Sequence, residues 1–262
     1  MQPITHLSPE DRNAIRFILT DIDDTLTCQG RLVGEAFLAM EQLEGAGYKV
    51  IPITGRPAGW CDHIARMWPV EAVVGENGAF YFHYDRARKK MIRRYIKEAP
   101  ERENDRRALD GIKAAILKQI PGAAVASDQS FRLADLAIDF CEDVPALPPD
   151  RIEQIVRCFR DAGAQAKISS IHVNGWFGQY DKLSMTRLLF RDHFKVELEA
   201  VGRSVLFIGD SPNDAPMFAF FEHSVGVANV RNFIDRMDTP PHWITQEEGG
   251  HGFAEMARIL LS

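Results

Sequence analysis

Two short apolar runs, far apart in the chain, each end in a cluster of aspartates. Phe17-Ile18-Leu19 leads into Thr20-Asp21-Ile22-Asp23-Asp24-Thr25-Leu26, and Val205-Leu206-Phe207-Ile208 leads into Gly209-Asp210-Ser211-Pro212-Asn213-Asp214. Both read as buried strands that stop at carboxylates. In an open α/β sheet, ligands bind just beyond the carboxyl ends of the strands. Two such ends side by side would gather negative charge where a hard, oxygen-loving cation can sit. The pattern points to magnesium-assisted chemistry on a phosphate.

At 262 residues with 45% hydrophobic composition, the chain can bury one large core or a core plus an inserted module. Its formal net charge of -6 argues against a surface built to track nucleic acid, which draws on a basic footprint. An anionic substrate must therefore be met by a local basic site or a metal. Cys28, Cys61, Cys141 and Cys158 show no CxxC spacing and read as thiols in a reducing compartment. No apolar stretch is long enough to span a bilayer, and Met1 to Arg16 is polar without a signal core. The expectation is a cytoplasmic protein without a membrane partner.

The first and last thirds alternate short apolar runs with amphipathic stretches, the rhythm of βαβ units feeding a parallel sheet. Strands are expected at Arg16 to Thr20, Tyr48 to Ile53 and Ala72 to Val74, then at Ser204 to Ile208, Ser224 to Val227 and Trp243 to Thr245. Polar or glycine loops follow the first three: Asp21 to Thr25, Thr54-Gly55-Arg56 and Gly75-Glu76-Asn77-Gly78. From Phe82 to Trp176 the rhythm changes. Leu109, Ile112, Ile116 and Ile120 share one helical stripe, and Ile152, Ile155, Val156 and Phe159 fall at i, i+3, i+4, i+7 on another. Strand-like runs at Leu133 to Phe140, Ala164 to Ser169 and Ile171 to Asn174 complete a small α+β unit. The proline cluster Val144 to Pro149 is read as the start of the second helix. The fold class is therefore α/β: a three-layer Rossmann-like core with a parallel sheet and an inserted α+β cap. Residues 1–82 and 178–262 form the core and residues 83–177 the insert.

Four separated motifs, taken in order, resemble those of the haloacid dehalogenase superfamily of aspartate-nucleophile phosphatases and mutases. Asp21-Ile22-Asp23-Asp24-Thr25 is similar to the first motif, Thr54 in Ile53-Thr54-Gly55-Arg56 to the second and Lys182 to the third. Gly209-Asp210-Ser211-Pro212-Asn213-Asp214 is similar to the fourth. The insertion after Asn77-Gly78 falls where subfamily IIB carries its α/β cap.

The resemblance implies a role for each matched position. Asp21 would be the nucleophile that forms an aspartyl phosphate, dividing one hard hydrolysis into two easier steps. Asp23 would be the acid for the leaving alcohol and then the base for water. The superfamily's dehalogenases lack that second aspartate, so Asp23 favours phosphoryl transfer. Thr54 would hold a phosphoryl oxygen and Lys182 would neutralise charge, with Gly55, Arg56 and Asn77 in the adjoining loops assigned to substrate binding. Mg²⁺ would be held by Asp21, the main-chain carbonyl of Asp23, Asp210 and Asp214. Thr25 and Asn213 would support the loops.

Substrate choice is assigned to the insert. Arg132, ahead of the strand with Asp135 and Asp139, could meet an anionic or hydroxylated substrate group, or only pair with nearby acids or face water. Alternation along Ile171 to Trp176 puts His172, Asn174 and Trp176 on one side, either lining a sugar pocket or forming the polar face of an ordinary sheet. The eight histidines show no metal-type spacing, so zinc is not expected. Arg86 to Arg94 holds six basic residues in nine and reads as a solvated hairpin of the insert. The expected function is a Mg²⁺-dependent phosphomonoesterase for a small phosphorylated metabolite, most plausibly a sugar phosphate, acting as a monomer or small homo-oligomer without nucleic acid. A phosphomannomutase-type phosphomutase is the second reading, since Gly178 to Lys182 is similar to the stretch that returns such chains to their core. A non-catalytic binding module on the same fold is the third.

Overall fold

Val205–Gly209 lies parallel to Phe17–Thr20, with Ile208 opposite Thr20, so the two acidic loops leave neighbouring strands in the same direction. The sheet holding them has six parallel strands in the order Gln2–Pro3, Trp243–Ile244, His223–Gly226, Val205–Gly209, Phe17–Thr20, Lys49–Pro52. From Phe17–Thr20 the chain winds outward to Lys49–Pro52, and from Val205–Gly209 it winds outward the other way. The strand order thus reverses between the two aspartate-bearing strands, which is where open α/β sheets form their crevice. The computed structural model describes residues 1–169 and 171–262.

Sequence explains why these runs are central strands. Ile18, Leu19, Val50, Ile51 and Val205 to Ile208 are all within 1% of complete burial, as expected where helices cover both faces of a sheet. Leu19, Ile51, Val205 and Phe207 join a cluster with Met185, Leu189, Phe190, Met217 and Phe218. Phe207 meets Phe218 edge-on at 5.4 Å between ring centroids. Truncating such a ring to alanine typically removes about 3–5 kcal/mol. The helix Gly34–Gly45 packs on Lys49–Pro52 and on the last helix, Gly249–Leu260.

By packing, the chain forms two units, Met1–Gly55 with Cys61–Arg94 and Asp181–Ser262, and Arg56–Trp60 with Tyr95–Tyr180. The basic stretch Arg86 to Arg94 is a hairpin, as expected, but of the first unit. Val73–Gly75 bridges to the large sheet through Ile53 and Val74 and continues into the three-stranded sheet with Phe80–Asp85 and Lys90–Tyr95. Its arginines face acids of that same unit: Arg93 meets Asp62 at 2.6 Å and Arg94 meets Asp192 at 3.2 Å.

The second unit has an antiparallel sheet in the order Gln165–Ile168, His172–Trp176, Leu136–Asp139, Ala124–Val125. Ala99–Gln119 and Pro149–Asp161 cover it through Leu109, Ile112, Ile116, Ile155, Val156 and Phe159. A Cβ on Gly175 would stand 2.1 Å from the Phe159 ring, so only glycine lets helix and sheet approach this closely. The proline cluster opens Pro149–Asp161, with Pro149 in its first turn. Not expected from sequence were the edge strand Gln2–Pro3, the Ser8-capped helix Pro9–Ala14 and the hairpin of Thr27–Cys28 with Arg31–Leu32. Among the described residues, no helix is long and apolar enough to cross a membrane.

Candidate active site

Asp21 sits one residue past its strand, where its N–H still donates to the Ile208 carbonyl at 3.0 Å and ties the two acidic loops together. The backbone then knots. The Ile22 carbonyl accepts the N–H groups of Leu26 and Thr27 at 2.9 and 3.0 Å, and Asp24 takes a left-handed φ of 54°. This tight turn keeps Asp23 near enough for its charge to act on Asp21. Its lock is partly Thr27, whose hydroxyl accepts the Asp24 N–H at 2.9 Å.

Lys182 opens the helix Lys182–Leu189, which Asp181 caps by accepting the Ser184 N–H at 2.8 Å. The lysine is 3% exposed and its Nζ donates to Asp21 Oδ1 and to Asp214 Oδ1, both at 2.7 Å. Burial alone would lower its pKa, but the two carboxylates overcome this and hold it above the usual lysine range. The turn Glu76–Gly78 runs against this helix start. Gly78 has φ 106°, and a Cβ there would lie 2.0 Å from the Asp181 carbonyl oxygen.

Asp214 stands on the 3-10 turn Pro212–Asp214 and reaches back over Gly209. Its Oδ2 accepts the Asp210 N–H at 3.3 Å while its Oδ1 takes Lys182, so both oxygens are committed. Asp210 accepts the Thr25 hydroxyl at 3.2 Å, which links the two acidic loops. Asn213 lies on the same turn. Thr54, fully buried, follows Lys49–Pro52. Its N–H donates to the Val74 carbonyl at 2.9 Å, and its own carbonyl accepts the Asn77 N–H at 3.1 Å. Gly55 adjoins the Asn77 side chain, 3.2 Å from where a Cβ would be.

The electrostatics bear on the cation. One carboxylate oxygen each from Asp21, Asp210 and Asp214 lie within 4.8 Å of one another, and all three residues are buried. Burial raises the Asp21 carboxyl to about 7, with Asp214 and Asp23 adding repulsion and Lys182 opposing it. Burial raises Asp210 to about 9, reinforced by Asp214, Asp21 and Asp24. Fully ionised, three carboxylates against one ammonium would leave two negative charges uncompensated. An all-oxygen donor set lacking two positive charges fits Mg²⁺. Lys182 is shared between Asp21 and Asp214, and all three carboxylates face one another as candidate ligands for the ion.

Asn229 was not anticipated from sequence. Its Nδ2 donates to the Asp24 carbonyl at 3.0 Å and to Asp210 Oδ2 at 3.4 Å, and its Oδ1 accepts the Gly249 N–H at 3.0 Å. It follows His223–Gly226, the next strand of the sheet, so a polar residue just past a third strand end was the available signal.

The other expected substrate residues belong to the second unit. Arg132 is 3% exposed and grips Asp128 through Nε and a terminal nitrogen at 2.8 and 2.9 Å, and Asp135 at 3.0 Å. Asn174 donates to the same Asp135 at 3.0 Å, and His172 Nε2 is 2.8 Å from Glu142 Oε2. This is the pairing with nearby acids foreseen as the alternative for Arg132. The Arg56 guanidinium rests over the Trp60 ring at 4.5 Å.

No family model matches the chain, and no curated protein matches it in sequence. Solved structures do match in fold. A protein from Thermoplasma acidophilum, at 17% identity, covers 94% of this chain and 98% of its own with a TM-score of 0.72. The sucrose-phosphatase from Synechocystis, solved with sucrose and phosphate, is 17% identical, covers 93% of this chain and 97% of its own, and gives a TM-score of 0.65. A haloacid dehalogenase subclass IIB sugar phosphatase, at 14% identity, covers 88% of this chain and 93% of its own with a TM-score of 0.61. The chain has the haloacid dehalogenase-like fold, a parallel α/β core with an inserted cap.

Proposed function

We propose that this protein is a Mg²⁺-dependent phosphomonoesterase that hydrolyses a small phosphorylated metabolite, a sugar phosphate, through an aspartyl phosphate on Asp21. The observation that carries the reading is Asp21 itself, a buried carboxylate held by Lys182 in a corner short of two positive charges. An Asp21 oxygen attacks phosphorus as the bond to the leaving alcohol breaks, and Asp23 supplies the proton that the alcohol oxygen takes up. Asp23 then accepts a proton from water as that water attacks phosphorus. The bond to Asp21 breaks, inorganic phosphate leaves and the carboxylate is restored. Thr54 and Lys182 offset charge on the transferring phosphoryl group. Asp21, the Asp23 carbonyl and Asp210 would hold Mg²⁺, which when bound would neutralise charge on the substrate phosphate.

A sugar phosphate is favoured because the fold's neighbours include a sucrose-phosphatase and a sugar phosphatase. Cys28, Cys61, Cys141 and Cys158 form no disulfide, in keeping with a reducing cytoplasm. The test is a screen of phosphate release from sugar phosphates, phosphoglycolate and nucleotides, with and without EDTA. Release from a sugar phosphate that EDTA abolishes supports the reading. Conversion of one hexose phosphate isomer to another without phosphate release would make it a mutase instead.

A further inference from the structure

Far from the aspartate corner, the fold assembles a second group of ligand-type side chains. Glu71 precedes Val73–Gly75, His83 lies on Phe80–Asp85, and His193 lies on Phe190–Phe194, a single turn of π-helix. Turns of that kind are rare and recur at functional positions. The Glu71 N–H donates to the Val50 carbonyl, near the start of the Lys49–Pro52 strand, whereas Thr54 lies beyond its far end. The group is therefore at the amino end of the strands, opposite the candidate active site. Sequence spacing hides it, because the three residues come from three separate segments.

One carboxylate oxygen of Glu71 and one ring nitrogen each of His83 and His193 lie within 4.8 Å of one another. The two rings are 4.2 Å apart between centroids, and His193 Nε2 is 2.7 Å from Glu71 Oε1. Each side chain already has an orienting partner. Lys49 Nζ donates to Glu71 Oε2 at 2.8 Å, turning Oε1 toward the imidazoles. His83 Nδ1 is 2.6 Å from the Glu71 main-chain carbonyl, which accepts only, so in the neutral ring Nδ1 carries the hydrogen and Nε2 the lone pair. A backbone carbonyl holding one ring nitrogen in this way is how metal-ligating histidines are commonly fixed. Side-chain exposures of 15%, 19% and 22% for His83, Glu71 and His193 leave room for water to complete a coordination shell.

We propose that Glu71, His83 and His193 form a binding site for a zinc-class transition-metal ion, separate from the aspartate corner. Two imidazoles and one carboxylate suit Zn²⁺, which takes nitrogen and oxygen ligands in a tetrahedral shell, rather than Mg²⁺, which prefers oxygen alone. The ion takes the place of the 2.7 Å contact between His193 Nε2 and Glu71 Oε1. It clips the hairpin strand and the π-helical turn to the segment before Val73, and it stabilises the first unit by mass action.

The experiment uses the full chain, stripped with EDTA and held in excess Mg²⁺ so that the carboxylate corner is filled, and titrates it with Zn²⁺ by calorimetry. One Zn²⁺ should bind. His83→Gln and His193→Gln should each weaken it about tenfold or more, while Asp210→Asn leaves it in place. Long-range proton–nitrogen spectra of the unmodified chain should show the ring nitrogens of His83 and His193 shifting together on Zn²⁺ addition, a readout that needs no variant to fold. Zn²⁺ lost with Asp210→Asn but kept in the histidine variants would overturn the proposal, as would ring nitrogens that stay put. The cluster would then be a hydrogen-bonded glutamate–histidine pair only.

Discussion

A Cβ on Gly209 would stand 2.5 Å from Asp214 Oδ2, so the absence of a side chain at 209 is what lets Asp214 fold back onto the Asp210 N–H while holding Lys182. Asp214 is fully buried and fixed at both oxygens, leaving it little room to yield. Gly209→Ala is therefore expected to destabilise the fold by about 1–3 kcal/mol, the usual range for overpacking. Phosphatase turnover should fall roughly 100-fold, since displacing a positioning group by about 1 Å can do that. Thermal melts and steady-state kinetics on the same preparation check both.

Lys182 is the one basic side chain described in contact with Asp21 and Asp214. Lys182→Met keeps the bulk and removes the charge. Breaking a buried pair by deleting one partner typically destabilises by about 3–5 kcal/mol because the remaining charge is left without compensation. Urea unfolding at alkaline pH should show such a loss, and added Mg²⁺ should recover part of it. Turnover should stay low even at saturating Mg²⁺, because in the proposed reaction the lysine also offsets charge on the transferring phosphoryl group.

Asp21 and Asp210 both have carboxyls raised by burial, to about 7 and about 9. A carboxyl raised in the folded state favours folding below its unfolded value, and that contribution is lost as pH rises through the folded one. Without metal, the contribution of this corner should therefore decline from about pH 4 upward, being lost by about pH 7 for Asp21 and about pH 9 for Asp210. Mg²⁺ binds the ionised forms, so its stabilising effect should grow over the same window. The rise in melting temperature on adding Mg²⁺ should be larger at pH 8.5 than at pH 6. An equal rise at both would contradict the assignment of charge.

Asn229 touches no reacting atom but joins the Asp24 carbonyl, Asp210 and Gly249. Asn229→Ala should weaken Mg²⁺ binding about 10–100-fold, as loss of groups that orient ligands commonly does. A purely structural role would lower stability and turnover together. The positioning role gives instead a turnover that returns toward normal at high Mg²⁺, read from the metal dependence of kcat.

The parallel core was legible because its strands are buried on both faces and so appear as unbroken apolar runs such as Val205 to Ile208. The corner was legible because Asp21, Asp210, Asp214 and Lys182 sit at strand ends or helix starts that the rhythm of the chain locates. What stayed hidden depends on side-chain direction and on long-range pairing. Asn229 acts through a 3.0 Å contact to a carbonyl 205 residues away. His83 and His193 meet only because a hairpin and a π-helical turn converge. The basic hairpin was placed in the insert because it follows Phe82, where the rhythm of the chain changes, whereas Arg93 and Arg94 answer to Asp62 and Asp192.

The central claim is that the Asp21 carboxylate itself takes the phosphoryl group, and trapping that linkage tests it most directly. Asp23→Asn should slow the attack of water and let the acyl phosphate accumulate during turnover of an aryl phosphate, whose leaving group departs without a proton from Asp23. Acid quench, borohydride reduction and peptide mass spectrometry should then find the side chain at position 21, and no other aspartate, reduced to an alcohol. Phosphate release that continues with no reduction at Asp21, or with reduction elsewhere, would contradict the account.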